Sequence, residues 1–178
     1  GVTIHSLFGF PFGILGTEDI ARHMNRRTRE VLAAIDMLVI DEVSMVNADL
    51  MDTMSRAMGI ARGRRKLPFG GAQVVMFGDP YQLAPVPPSD PQDRAYMAEN
   101  YQSGWFFDAH VWREDSLERY ELTEIFRQHD EYFKEILNAI RDGSCTQEML
   151  DYINKCGNRF PPHDDVIRLA TINASVNS

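Results

Sequence analysis

Two adjacent carboxylates, Asp41 and Glu42, close the apolar run Leu38-Val39-Ile40, and a second apolar run, Val74-Val75-Met76-Phe77, stops on Gly78-Asp79 and leads to Gln82. If both runs are buried strands of an open parallel α/β sheet, their carboxyl ends line the ligand crevice, and residues just past those ends are placed for chemistry. Acids and an amide on one sheet edge are the layout of an NTP-hydrolysing site. A small hard cation such as Mg²⁺ takes oxygen ligands and keeps several waters beside the phosphates, and Asp41 is the candidate ligand. A second carboxylate can orient and deprotonate the water that attacks the γ-phosphate. Glu42, one residue on, projects to the other side of the strand end by strand alternation. Gln82 is placed to sense the γ-phosphate or to orient the water. The competing reading is that core strands end in acids simply because they meet solvent there. The pairing of two such strands, together with their flanks, decides against it.

The elements that must position these residues follow from periodicity and capping. Thr17 caps a helical region through Ile35, with Ile20, Met24, Val31, Leu32 and Ile35 on its apolar face, leading into the first strand. Ala48 to Ala61 reads as a helix whose Leu50, Met51, Met54 and Met58 form a core-packing face. Gly70-Gly71 permits a tight turn into the second strand, which completes a β-α-β pattern. Pro85, Pro87, Pro88 and Pro91 mark an extended loop, Asp93 to Tyr101 a weaker helix, and Trp105, Phe106, Phe107 and Trp112 anchor the segment to the core. Tyr120 to Leu122 is a short strand. Asp130 caps an amphipathic helix bearing Phe133, Ile136, Leu137 and Ile140 and closed by Gly143; Thr146 opens another, closed by Gly157.

A chain of 178 residues, 44% hydrophobic and 25% charged, is long enough to bury one sizeable core and is not disordered in composition. It contains no apolar run long enough to span a bilayer and no charged-then-apolar leader, which favours a soluble protein of the cytoplasm, or of the nucleus or mitochondrion in a eukaryote. Cys145 and Cys156 lack partners at metal-binding spacing and the five histidines are scattered, so no zinc site is expected. A net charge of −8 argues against nucleic acid only weakly. Single strands can be held by hydroxyls, backbone amides and stacking surfaces along a local groove. The basic run Arg62, Arg64, Arg65 and Lys66 is either a phosphate contact or a solvated loop before Pro68-Phe69-Gly70-Gly71.

Four blocks carry a family resemblance: TIHSLFGF (Thr3 to Phe10), LVIDEVSM (Leu38 to Met45), PFGGAQVVMFGDPYQLAPV (Pro68 to Val86) and LTEIFRQHDEYFKEILNAIRDG (Leu122 to Gly143). In order and spacing they resemble the Pif/RecD-type DNA helicases of superfamily 1, most closely the Pif-like branch. The resemblance implies an α/β fold, a partial RecA-like P-loop NTPase domain with a mainly parallel sheet flanked by helices. It also implies ATP-driven 5′-to-3′ movement on single-stranded DNA, with ATP and Mg²⁺ as cofactors. Residues 1–165 would be part of the first RecA-like domain, and 166–178, with the strand-like Ile167-Arg168-Leu169-Ala170, the start of the second. Matched position by position, Thr3, His5, Ser6 and Phe8 fall in the block that contacts single-stranded DNA. By the same resemblance Pro85 and Val86 would line the DNA path, and Arg127 would reach the γ-phosphate. Asp41, Asp79, Gln82 and Arg127 together would hold the nucleotide.

Each assignment has a structural competitor. His5 could be a hydrogen-bonded core or turn residue, Phe8 could pack rather than stack, and Pro85 and Val86 could merely stiffen a loop. Arg127 could form a salt bridge with Glu124 or Glu131. No G-x-x-x-x-G-K-S/T phosphate loop occurs anywhere in the sequence, which reads as a motor fragment that begins after that loop. Three functions are therefore in play: an ATP-driven helicase core, a non-catalytic single-strand-binding or scaffolding module, and a metal-dependent hydrolase that uses the acids without ATP. The third is weakest, since no histidine accompanies Asp41 and Glu42.

Overall fold

Two strands, β1 (Met37–Ile40) and β2 (Gln73–Met76), pair in parallel with Ile40 opposite Met76 in the computed structural model, which describes residues 1–112 and 117–157. The crossover between them carries helix α4 (Ala48–Ala61), as the β-α-β reading requires. Asn47 starts α4 by accepting a hydrogen bond from the Leu50 amide at 2.7 Å. Met51, Met54, Ala57 and Met58, at helical spacing, are fully buried and form the centre of the core. Helices α1 (Ile4–Phe8), α2 (Thr17–His23) and α3 (Arg26–Ala34) precede β1, and α2 and α3 pack on α4. Helix α5 (Pro91–Asn100), capped by Asp90, follows β2.

The strands are buried on one face rather than two. Leu38 and Ile40 are enclosed, whereas Met37 and Val39 are about half exposed, because helices cover one side of the two-stranded sheet among the described residues. The helical region expected from Thr17 through Ile35 is two helices. Met24 and Asn25 are extended, and the Asn25 side chain accepts from the Thr28 amide at 2.8 Å, so an internal cap restarts the helix. The residue ahead of the first of these helices is Gly16, not Thr17.

A left-handed pair, Phe69 (φ 49°) and Gly70 (φ 61°), sends the chain from α4 into β2. A Cβ at Gly70 would lie 2.9 Å from the Met58 carbonyl oxygen, so only glycine fits that approach. Arg62 ties this turn down by donating to the carbonyls of Gly70 (3.0 Å), Ala33 (3.2 Å) and Ile35. The first cation of the basic run is thus a structural clamp, while Arg64, Arg65 and Lys66 are exposed.

Asp52, on α4, is a buried acid whose neighbours satisfy it. It accepts from the Tyr101 hydroxyl (2.9 Å) and from the backbone amides of His110 (3.1 Å) and Val111 (2.8 Å), pinning the segment after α5 to the core. Burial and the neighbouring Asp52 and Asp49 carboxylates push the Tyr101 phenol far above its ordinary pKa, so it remains a donor. Trp112 stacks on Phe69 at 5.5 Å, whereas Phe107 is half exposed and anchors less than its neighbours.

The chain divides into two units after Tyr120. The second holds α6 (Glu131–Arg141), capped by Asp130, and α7 (Gln147–Gly157), with Ile136 and Ala139 buried and Tyr132 meeting Tyr152 edge-on at 5.0 Å. Tyr120 to Leu122 is not a strand. Both its large side chains are more than four-fifths exposed and no partner strand takes up its backbone among the described residues. The expected strand and domain start at 166–178 lie outside the described residues.

Candidate active site and nucleic-acid face

The polypeptide past β1 leaves the strand abruptly at the two acids. The ladder continues through Phe77, whose amide donates to the Ile40 carbonyl (2.8 Å) and whose carbonyl accepts from the Val43 amide (2.9 Å). That pattern skips Glu42, which sits in the left-handed region at φ 52°, ψ 44°. Strand alternation therefore stops at Ile40 and does not set the direction of Glu42; a local kink does. A non-glycine residue held there costs roughly 1–3 kcal/mol, and such strain gathers at functional sites. Asp41 Oδ1 accepts from the Glu42 amide at 3.0 Å, which orients the carboxylate, and both acids are exposed.

The second strand end is packed against the first. An added Cβ on Gly78 would meet the Val43 amide nitrogen at 2.9 Å, Val43 Cγ1 at 3.0 Å and the Ser44 nitrogen at 3.2 Å. Gly78 carries a role that its type alone did not assign, and its signal is a glycine between a strand and an acid. Gly78→Ala should lower stability by about 1–3 kcal/mol through overpacking against backbone. An unchanged thermal midpoint for the variant would contradict the close approach.

Asp79 and Gln82 share one turn. Asp79 Oδ1 accepts from the Tyr81 amide (3.0 Å), its carbonyl accepts from the Gln82 amide (3.0 Å), and the Gln82 side-chain amide lies 3.5 Å from Asp79 Oδ2. The end of the sheet thus presents Asp41, Glu42, Asp79 and Gln82 on two abutting segments. An exposed carboxylate at a strand end is a donor suited to Mg²⁺. Among the described residues no group of three or more acids, histidines or cysteines converges to complete a metal site.

The residues assigned to DNA separate into distinct roles. Thr3 caps α1, its hydroxyl accepting from the Ser6 amide at 3.3 Å. Ser6 is exposed, and half-buried His5 lies against Phe12 with ring centroids 5.0 Å apart. Phe8 corrects the expectation of a stacking surface: it is fully buried and packed on Phe10 at 5.1 Å. Val86 is 76% exposed, and Pro85 is partly buried beside it. Arg127 belongs to the second unit. It is exposed, and it makes no ion pair with Glu124 or Glu131 among the described residues; Glu131 pairs with Lys134 at 2.8 Å.

Known proteins resemble this arrangement in sequence and in shape. Residues 1–151 match the PIF1-like helicase family. The ATP-dependent DNA helicase PIF1 of Emericella nidulans is 31% identical over 166 residues, which is 92% of this chain and 21% of that protein. The ATP-dependent DNA helicase RRM3 of Saccharomyces cerevisiae is 34% identical over 154 residues, 84% of this chain and 20% of that one. Among solved structures, Bacteroides Pif1 bound to single-stranded DNA superposes with a TM-score of 0.88 at 37% identity, covering 99% of this chain and 41% of that one. The Bacteroides enzyme in complex with ADP-AlF3 and single-stranded DNA gives 0.86 at 38% identity, with 99% and 42% covered. The RecA-like α/β architecture that the resemblance implied is that of these helicases, and the chain belongs to the PIF1-like helicase family.

Proposed function

We propose that this chain is the nucleotide-responsive part of an ATP-dependent DNA helicase motor, acting on single-stranded DNA. The observation that carries the proposal is the abutment of the two strand ends, which brings Asp41-Glu42 and the Asp79–Gln82 turn to one edge of a parallel sheet in a PIF1-like chain. Mg²⁺ bound at Asp41 would neutralise phosphate charge. Glu42 accepts the proton of the attacking water, Gln82 orients that water or the γ-phosphate, and Asp79 holds Gln82 in its turn. Arg127 stabilises charge on the transferring phosphoryl group. Thr3, through its cap, fixes the first turn of α1, from which His5 and Ser6 donate to DNA phosphates, with Pro85 and Val86 forming the opposite wall of the track.

The chain spans about a fifth of the length of the curated relatives it matches, and its sequence has no G-x-x-x-x-G-K-S/T loop. Hydrolysis is therefore tested in a helicase that joins this segment to such a loop. ATP turnover there should rise when single-stranded DNA is added. The double change His5→Ala with Ser6→Ala should weaken single-strand affinity similarly for all sequences, because phosphate contacts carry no base information. DNA-free hydrolysis stays the same, and stimulation needs higher DNA concentrations. Turnover indifferent to DNA would refute the motor reading, and unchanged affinity in a titration at fixed salt would remove His5 and Ser6 from the track.

A further inference from the structure

No acid occurs between Asp52 and Asp79, although the chain carries 26 of them, and the same stretch holds five cations, Arg56, Arg62, Arg64, Arg65 and Lys66. In a protein of net charge −8 this is a local reversal of sign. The fold holds the basic loop down. The Arg64 amide donates to the Gly59 carbonyl (2.9 Å) and the Leu67 amide to the Arg64 carbonyl (3.1 Å). A Cβ on Gly59 would meet Arg65 Cα at 3.2 Å, a close approach that lays the loop backbone on α4. Arg62 is engaged with backbone carbonyls, whereas Arg64, Arg65 and Lys66 are exposed and make no ion pair among the described residues.

Arg65 and Lys66 share with Ser55 and Arg56 of α4 a groove of about 240 Å³, closed by Pro68 and His110. The Arg56 side chain is 32% exposed and lies 3.9 Å from the buried Asp52, which steadies its guanidinium without enclosing it. Ser55 Oγ accepts from the Phe69 amide at 2.9 Å, which leaves its own O–H free to donate. Cations at a helix C-terminus complement its dipole, but that effect is confined to the last turn. Ser55 and Arg56 precede the last turn of α4, so the dipole does not account for the groove. Its volume is below the roughly 300–1,000 Å³ of small-ligand sites, which suits one phosphate group of a longer chain better than a whole nucleotide. Point charges and a hydroxyl are the donors that hold a phosphodiester backbone, and the His110 ring is already stacked on Tyr101 at 4.7 Å. The phosphate is not the nucleotide's: the basic loop enters β2 at its amino end, whereas Asp41, Glu42, Asp79 and Gln82 lie past the carboxyl ends of the strands. Nor is it the track's, since no residue lining this groove lines the cleft beside His5 and Val86.

We propose that this groove, with Arg56, Arg65, Lys66 and the Ser55 hydroxyl, is a second contact for the DNA phosphodiester backbone, outside the single-strand track. The proposal rests on the reading of the chain as part of a DNA motor. The groove holds a portion of the DNA that the track does not, a duplex arm or the continuation of the unpaired strand, and adds affinity without base preference.

Fluorescence anisotropy with the helicase carrying this segment tests this on three DNAs: an oligo-dT that fills only the track, a longer oligo-dT, and the short oligo-dT joined to a duplex. Arg65→Ala with Lys66→Ala should leave the short oligo-dT bound as before and weaken binding of a longer DNA. For that DNA the slope of log affinity against log salt should become shallower by about one to two, the mark of one or two lost phosphate contacts. A loss on the duplex-bearing DNA alone assigns the groove to a duplex arm, and a loss on the longer oligo-dT assigns it to the unpaired strand. Arg65→Lys with Lys66→Arg keeps both charges and should retain most of the affinity. Should the double alanine variant fail to fold, Lys66→Gln alone gives the same test with a slope change of about one. Equal affinity of variant and unmodified protein for all three DNAs overturns the contact and leaves the motor reading standing. If that variant also loses binding of poly-glutamate, the face belongs to an acidic protein segment instead. Equal weakening on the short oligo-dT places these residues in the track and overturns a separate contact. An unmodified protein that binds no single strand overturns both readings.

Discussion

Arg127→Ala, introduced into a helicase that joins this segment to a phosphate loop, should lower ATP turnover by about 10³–10⁵, the range found when a transition-state arginine is removed from a phosphoryl-transfer site. The fold should hardly notice. Arg127 is exposed and takes no part in an ion pair among the described residues, and removing such a side chain normally changes stability by less than about 0.5 kcal/mol. The salt-bridge alternative weakens on the same observation, since Glu131 is engaged with Lys134. Arg127→Lys keeps the charge without the planar fork and should recover only part of the rate. Single-turnover hydrolysis at saturating ATP, paired with a thermal melt, checks this. Normal turnover per folded molecule beside a large drop in melting temperature would return Arg127 to a structural role.

The strand ends were legible because apolar runs that stop on acids are a local signal, and the helices because caps and 3.6-residue periodicity are local too. Ala48–Ala61 forms one helix with its methionine face inward, as its spacing indicates. What sequence missed depends on contacts between distant residues. The left-handed Glu42 and the pressure of Gly78 on Val43 arise only when two strands pair, and a glycine between a strand and an acid is the one local trace of the second. Tyr120 to Leu122 has strand-like composition, but a strand exists only where a neighbour accepts its hydrogen bonds. Asn25 was overlooked because the apolar spacing of Ile20, Met24 and Leu32 runs through it, although Asn followed by a helical run is a capping signal.

The residues assigned to nucleic acid show the limits of motif transfer. TIHSLFGF was read as a contact block, and the structure distributes its members among a helix cap (Thr3), an exposed hydroxyl (Ser6), a half-buried imidazole (His5) and a core ring (Phe8). A motif is thus partly the scaffold of its own functional residues. Asp49, whose Oδ1 has no donor among the described residues, carried no motif at all. It became visible only as a contrast with Asp52, three residues on, whose donors come from residues far along the chain.

Glu42→Gln in the same helicase should lower ATP hydrolysis by about 10²–10⁴, the contribution of a positioned general base, while ATP and DNA binding persist. Glutamine keeps the size and hydrogen-bonding reach of the side chain but cannot take up a proton. The backbone separates chemistry from strain at this position. Glu42 occupies a left-handed conformation that glycine adopts freely, so Glu42→Gly should leave the melting temperature at or above the original while hydrolysis falls at least as far. A residue kept there only by packing would behave otherwise, since it is exposed and glycine would then be neutral in turnover. Steady-state hydrolysis near the unmodified rate in the glutamine variant would remove Glu42 from the mechanism and leave its strained geometry without a catalytic reason.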